Sequence, residues 1–155
     1  MAEQATDLFS NVLVAIDDSE ISLSAISAVI PSVKAAKGKM SVVFVRHRPV
    51  MFDSAGAESA NAWELIEESL TEREKDSERD ASALLAGQGI TSTFVVRDGD
   101  PAREILATAT EHESSVVVLG APVHGVVGAI LESSVAEYLL HHCTVPLLII
   151  HPRAE

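Results

Sequence analysis

The sequence predicts a doubly wound α/β fold, in which a parallel five-stranded sheet carries helices on both faces. Five short apolar runs, rich in branched residues, alternate along the chain with segments of helical periodicity. The 155 residues are 47% hydrophobic and 22% charged, a composition typical of a folded domain rather than a disordered chain. No repeat or low-complexity tract indicates a second domain. We therefore expect residues 1–155 to form a single domain with right-handed crossovers.

The first strand and helix are followed directly by a second strand. Asn11 to Asp17 is an unbroken apolar run that ends in a carboxylate, which is typical of a strand buried on both faces of a parallel sheet. A stripe of apolar residues at helical spacing follows Ser19 and ends at Gly38. Pro31 lies inside this helix and predicts a kink. Met40 to His47 is the second strand, because β-branched residues dominate it.

The middle of the chain predicts a long helix, a third strand and a third helix. Apolar residues at helical spacing indicate a helix from Ser59 to Ala86, and its many acidic residues lie on the other side, which we interpret as a solvated face. Thr91 to Arg97 is the third strand. Asp100 is typical of a helix N-cap and Pro101 of a first helical position, so a third helix begins there.

The last part of the chain predicts two strands separated by a loop and a short helix. Ser115 to Gly120 is a fourth buried strand, and a glycine-containing loop follows it. Ser134 and Glu137 have the spacing of a capping box and predict a helix that runs to His142. Val145 to His151 is the fifth strand. Ligands of such sheets bind beyond the carboxyl ends of the strands, where the winding direction reverses, so we expect a site there.

Charge and composition exclude several classes of function. The net charge of −12 repels a phosphate backbone, so we expect no nucleic-acid partner. No apolar run is long enough to cross a bilayer, and the first residues lack the basic and apolar segments of a leader, so we expect neither a membrane span nor an anchor. A lone Cys143 forms no internal disulfide, which favours the cytoplasm. The six histidines show no metal-binding spacing, so we expect no metal site.

Four segments in this order resemble the universal stress protein family, and the resemblance covers nearly the whole chain, with a core at about residues 10–152. The resemblance implies a Rossmann-like sheet of order 3-2-1-4-5. It also implies a homodimer in which the last strands, here Val145 to Ile150, pair edge to edge. The segments are Val12-Leu13-Val14-Ala15-Ile16-Asp17-x-Ser19, Asp98-Gly99-Asp100-Pro101, Ser134-Val135-x-Glu137-Tyr138 and Val145-Pro146-Leu147-Leu148-Ile149-Ile150.

The family's ATP-binding members carry the motif Gly-x-x-Gly, nine residues, then Gly-Ser or Gly-Thr, and this chain matches it incompletely. Gly120 fits the first glycine and Ser134 the terminal hydroxyl, but Val123 and Ser133 stand at the second and third glycine positions. A β-branched valine is disfavoured at the positive φ that a phosphate loop can require, whereas serine is a milder change. No lysine or arginine occurs between Arg103 and Arg153, so few cations would meet a triphosphate.

For further candidate residues, the sequence leaves open whether they bind a ligand or have only a structural role. Asp17 would bind ribose hydroxyls or a metal-bound water at the crevice, or cap the following helix together with Ser19. Val45 would back an adenine ring, or belong to the core. Main-chain amides between Leu119 and Val135 would hold a phosphate. Mg²⁺, or Arg46, Arg48 and Arg97 at neighbouring strand ends if they faced the crevice, would supply compensating charge.

Two functions follow as hypotheses. The first is a non-enzymatic, homodimeric stress-response interaction module with weak or no ATP binding, no cofactor and no catalytic residues. The alternative is a regulator that binds ATP or another adenine nucleotide with Mg²⁺, with slow hydrolysis as a further possibility. A nucleophilic serine is not indicated, because the chain has no Gly-x-Ser-x-Gly elbow. Adenylyl transfer ranks last, because the phosphate signature of such enzymes is missing near the first strand.

Overall fold

The computed structural model describes residues 8–47, 59–121 and 133–151, which form one five-stranded parallel sheet and four helices. The strand order is β3-β2-β1-β4-β5, so the predicted fold class and order are confirmed. No helix within these residues is long and apolar enough to span a bilayer. The elements are β1 (Asn11–Ile16), α1 (Glu20–Ala35), β2 (Lys39–Arg46), α2 (Ser59–Leu85), β3 (Thr91–Asp98), α3 (Pro101–Glu111), β4 (Val116–Gly120), α4 (Ser133–His142) and β5 (Leu147–Ile150).

The central strand β1 holds the sheet together, because it pairs with β2 on one side and with β4 on the other. Val14 is in register with Val42 and Val118, and all three side chains are buried. Successive residues of a strand point to opposite faces, so β1 supplies two separate cores. Val14 packs with α1 and α2 on one face, whereas Leu13 packs with α3 and α4 on the other. The helices therefore cover both faces, as the sequence predicts.

Element boundaries differ from the prediction by one or two residues, and the shortening of β5 has a local cause. Strand β5 covers only Leu147–Ile150, because Pro146 before it has no N–H and contributes only its carbonyl, which accepts from Val117. Helix α1 continues through Pro31 as one helix. Helix α4 begins at Ser133, so Ser134 lies in its first turn instead of at the predicted N-cap. The predicted N-cap of α3 is confirmed, because the Asp100 side chain accepts from the Arg103 N–H.

The junction between α1 and β2 fixes where β2 starts beside β1. Lys37 has a positive φ of 52°, and the Gly38 N–H donates to the Val33 carbonyl at 2.9 Å, which ends α1 in a Schellman motif. Gly38 itself packs directly against the chain before β1. A Cβ placed there would lie 2.0 Å from the Phe9 carbonyl oxygen. Only glycine fits at this position, because any side chain would overlap the main chain at Phe9.

Replacing Gly38 by alanine is expected to destabilise the protein strongly, because the added methyl overlaps the main chain at Phe9. Gly87→Ala is the matched control. Gly87 has a φ of 73° but no atom within 4 Å of its added Cβ, so this change carries only backbone strain of ~1 kcal/mol. Urea unfolding followed by circular dichroism compares the two variants. A loss of stability for Gly38→Ala no larger than that for Gly87→Ala would contradict the packing assignment.

Candidate functional site

The candidate site is the crevice at the carboxyl ends of β1 and β4. The chain winds outward from β1 through β2 to β3, then returns to add β4 and β5 on the other side of β1. This reversal leaves a crevice beyond the two central strand ends, where ligands of open α/β sheets bind. Asp17 directly follows β1, and Gly120 is the last residue of β4. The structure therefore places both of these predicted site residues at the same edge of the sheet.

Asp17 takes part in the start of helix α1. Its side chain is 2% exposed, and its Oδ1 accepts from the Ser19 N–H at 2.8 Å and from the Ser19 hydroxyl. Ser19 is the N-cap, and its own hydroxyl oxygen accepts from the Ser22 N–H. The Ser22 hydroxyl in turn accepts from the Asp17 N–H at 3.2 Å. The capping role that the sequence offered as the structural alternative for Asp17 is thus present.

Gly120 packs against the first turn of the same helix. A Cβ added at Gly120 would lie 2.8 Å from the carbonyl oxygen of Ile21 and 3.1 Å from its Cγ2. Real Cβ atoms do not approach a backbone oxygen so closely, so β4 and α1 can meet here only through a glycine. The packing of β4 on α1 is a sufficient reason for this glycine, whether or not a phosphate lies beside it.

Some of the other predicted site residues lie in the core, and the rest lie outside the residues that the structure describes. Val45 and Val135 are both buried and belong to the same apolar cluster, between the sheet and helices α3 and α4. The backbone of Ser133 and Ser134 forms the first turn of α4. Val123 lies outside the described residues, and so do the side chains of the two serines. The core role of Val45 is therefore present, while the departures from the phosphate motif rest on the sequence.

Arg46, at the end of β2, is surrounded by carboxylates. Its Nη2 lies 2.8 Å from Glu67 Oε2, its Nη1 lies 3.0 Å from Glu74 Oε2, and its Nε lies 3.7 Å from Asp98 Oδ1. The Arg46 side chain is only 16% exposed. A half-buried guanidinium needs such partners, because removing a charge from water without compensation is unfavourable. This cation is therefore directed into α2 and β3, and its charge is neutralised there.

Two further arginines near this edge are also paired. Arg97 of β3 forms an ion pair with Glu111 at the end of α3. Arg73 of α2 donates from Nε and Nη2 to the two Asp18 oxygens, at 2.9 Å and 3.0 Å. The hydrogen bond from Arg73 holds the pKa of the Asp18 carboxyl below its ordinary value, although partial burial opposes this. Arg46, which the sequence offered as a compensating cation, thus resembles the other two arginines in being matched by acids.

The sequence did not show that two of the acidic residues on α2 pair with an arginine. Glu67 and Glu74 are two helical turns apart on one face of α2, and both bind Arg46. The interpretation of all these acids as a solvated face is therefore incomplete. The seven-residue spacing was the available signal, because residues i and i+7 of a helix share a face. Which arginine they would meet depends on how α2 packs on the sheet, and the sequence does not contain that.

A serine and a histidine also meet at the amino end of the sheet, opposite the crevice. The Ser41 hydroxyl lies 3.0 Å from His112 Nδ1, and the Asn11 side-chain amide donates to the His112 carbonyl at 2.6 Å. Across residues 8–47, 59–121 and 133–151, no carboxylate hydrogen-bonds to the His112 ring, so the pair lacks the orienting acid of a catalytic triad. The same ranges contain no cluster of three or more potential metal ligands.

Comparisons with known proteins agree with this architecture. A sequence model described as the universal stress protein family matches residues 8–151. Universal stress protein YxiE of Bacillus subtilis is 27% identical over 147 residues, which cover 92% of this chain and 99% of the relative. Universal stress protein MJ0531 of Methanocaldococcus jannaschii is 24% identical over 150 residues, which cover 96% of this chain and 86% of the relative.

Solved structures share the same fold. A universal stress protein family structure from Burkholderia pseudomallei superposes with a TM-score of 0.69 at 24% identity, covering 92% of this chain and 96% of its own. A family protein of Arabidopsis thaliana with AMP bound has a TM-score of 0.61 at 14% identity, covering 94% and 93%. A universal stress protein in complex with cAMP has a TM-score of 0.60 at 16% identity, covering 93% and 98%. With a family match over residues 8–151, this chain belongs to the universal stress protein family.

Proposed function

We propose that this protein is a non-enzymatic, homodimeric interaction module of the stress response, with weak or no binding of ATP. The observation that most supports this function is that Arg46 is already paired with carboxylates. The cation nearest the end of β2 is bound to Glu67 and Glu74 and has Asp98 beside it. An incoming triphosphate would have to compete with these carboxylates for the guanidinium. Cytoplasmic location is part of the same proposal, because the lone Cys143 suits a reducing compartment.

The electrostatic surroundings of the crevice disfavour a polyanion. A triphosphate needs cations, Mg²⁺ or converging N–H groups to offset its charge. The chain carries a net charge of −12, and among the described residues Arg46, Arg73 and Arg97 are all engaged with acids. Helix α4 begins at Ser133 and offers its N-terminal dipole, which contributes ~0.3–1 kcal/mol at an exposed site. That contribution is small beside the repulsion between several like charges.

The sequence between Gly120 and Ser134 also disfavours ATP. Of the motif's three glycines only Gly120 is present, and its lack of a Cβ is already required by Ile21. Val123 and Ser133 bring side chains to positions where the motif brings main-chain N–H groups close to oxygens. Fewer amides would converge on a phosphate as a result.

The proposed homodimer uses the outer edge of β5. All four residues of this strand are apolar and only half-buried, although β5 lies beside β4. No strand of the described ranges pairs with the other side of β5. An unpaired apolar edge is normally covered, and a second copy of the same strand covers it with two-fold symmetry.

A second candidate function is a regulator that binds an adenine nucleotide with Mg²⁺ and hydrolyses it slowly, if at all. The solved relatives with cAMP and with AMP bound favour this candidate. Asp17 and Gly120 stand at the crevice, where such a ligand would lie. AMP and cAMP carry less negative charge than ATP, so the lack of free cations disfavours their binding less than it disfavours the binding of ATP.

The first prediction concerns the missing glycines. Calorimetric titration of the wild-type chain with ATP and Mg²⁺ is expected to show no saturable heat up to about millimolar ligand. The double change Val123→Gly and Ser133→Gly restores the motif and is expected to raise the affinity about tenfold or more. Val126→Gly is the control, because it loosens the same loop without restoring the motif. A micromolar dissociation constant for the wild type would refute the proposed weak binding.

The second prediction concerns Arg46. The double change Glu67→Gln and Glu74→Gln removes the two nearest of its three charged partners, leaves Asp98 in place, and makes the guanidinium more available to a nucleotide. We expect the affinity for ATP and Mg²⁺ to rise about tenfold, measured by nucleotide-induced NMR shifts. Glu68→Gln with Glu72→Gln is the matched control, because it changes the net charge equally at two exposed residues of α2. Equal gains in both double variants would show that net charge matters and Arg46 does not.

The third prediction concerns the β5 edge. Sedimentation is expected to give about twice the 16.4 kDa mass of one chain. The Pro146 carbonyl accepts from Val117 of β4 and the Ile150 carbonyl from Ala121 just after it, so by alternation the Ile149 N–H faces outward and the Leu148 N–H faces β4. Ile149→Pro is therefore expected to give folded monomers, and Leu148→Pro to destabilise the fold. A wild-type monomer at micromolar concentration, or an Ile149→Pro dimer, would contradict edge pairing.

A further inference from the structure

A groove of about 280 Å³ lies beside the carboxyl end of β2, on the face covered by α2, and it is separate from the nucleotide crevice. This volume is close to the lower end of the range for ligand pockets, which limits an occupant to a small molecule. Its lining residues are His47, Leu65, Ile66, Ser69, Leu70 and Arg73.

One wall of the groove is apolar and partly open to water. Leu65, Ile66 and Leu70 come from neighbouring turns of α2. Leu70 is 5% exposed, whereas Leu65 is 66% exposed, so apolar surface runs from the core to the rim. An isolated exposed leucine is ordinary, but here it continues an apolar wall. An apolar body seated in the groove would remove this surface from water.

Arg73 and His47 offer the groove one donor group and one acceptor, beside the Ser69 hydroxyl, which can serve as either. Arg73 uses Nε and Nη2 to bind Asp18, and its Nη1 has no partner within the described part of the chain. His47 Nδ1 lies 3.3 Å from the Gly99 carbonyl oxygen. A carbonyl only accepts, so this contact places the donor proton on Nδ1, and in that tautomer Nε2 is an acceptor. Nε2 likewise has no partner in ranges 8–47, 59–121 and 133–151.

The charges around the groove select an uncharged ligand. Arg73 is the arginine of the groove lining, and Asp18 already matches its charge, so the guanidinium needs no further negative charge from a ligand. A cation would approach the Arg73 guanidinium itself and be repelled by it.

From these features we propose that the groove binds a small neutral molecule with an apolar body and a primary carboxamide. The amide carbonyl accepts from Arg73 Nη1, and the amide NH₂ donates to His47 Nε2. The apolar body lies against Leu65 and Ile66. A primary amide is the simplest neutral group that satisfies a donor and an acceptor together. This inference does not depend on the proposed function, because it uses none of the crevice residues.

The test is an NMR titration of the full chain with three probes that share one phenylpropyl body. 4-Phenylbutanamide is expected to bind with about millimolar affinity, as is usual for a ligand of this size. Its N,N-dimethyl amide lacks the donor, and 4-phenylbutanoate carries a negative charge, so each is expected to bind about tenfold more weakly. Shifts are expected at His47 and along residues 65–73.

Variants separate this site from non-specific binding. Arg73→Gln and Leu65→Ser are each expected to weaken binding of the amide about threefold to tenfold. Arg79→Gln is the matched control, because Arg79 is an exposed arginine of the same helix that pairs with Asp76 and Asp80. Thermal melts establish that each variant is folded. Leu65→Ser keeps the Arg73 ion pair with Asp18, so it remains informative if Arg73→Gln unfolds.

Four outcomes would overturn the proposal. The first is that the amide shows no saturable binding, and the second is that the amide and the carboxylate bind equally. The third is that the ligand-induced shifts are centred on Asp17 and Gly120. The fourth is that the shifts at residues 65–73 depend on protein concentration in the absence of ligand. The third would assign the probe to the nucleotide crevice and leave the proposed function open. The fourth would mean that a second copy of the chain covers the groove. Failure of the amide to bind leaves the ATP and sedimentation predictions untouched.

Discussion

The ion pairs of Arg46 constrain the whole carboxyl edge of the sheet. A guanidinium with 16% of its side chain exposed must be matched by acids, and Glu67, Glu74 and Asp98 supply them from α2 and β3. These contacts tie the end of β2 to a helix and to the neighbouring strand. They also neutralise a positive charge at the carboxyl end of β2. The Arg46 guanidinium cannot bind these carboxylates and a ligand phosphate fully at the same time. Arg46 therefore links the stability of the fold to ligand binding.

A similar competition occurs where β1 and β4 end. Asp17 accepts from Ser19 at the start of α1, and Gly120 makes room for Ile21 in the first turn of that helix. Residues that the family resemblance assigns to a nucleotide thus already have partners within the fold. Their presence is explained by the docking of α1, so they are weak evidence for a bound phosphate. This is why the functional proposal depends on charges and on the missing glycines.

Helix α2 carries two different surfaces. Glu67 and Glu74 face Arg46, whereas Leu65 and Arg73 line a groove. At the other edge of the sheet, the apolar strand β5 has no strand on its outer side within the described residues. The proposed homodimer would cover this edge with a second copy of the chain.

The five strands and four helices of the described residues could be predicted from the sequence, because buried parallel strands are continuous apolar runs and caps such as Asp100 act locally. The strand order came from the family resemblance. Only the folded chain shows that Arg46 faces α2, that Gly120 meets Ile21, and that His47, after β2, lines a groove with Leu65 and Arg73 of α2. Each of these arrangements brings together parts of the chain that are distant in sequence. Their meeting depends on how helices dock on the sheet, and periodicity along the chain does not specify that docking.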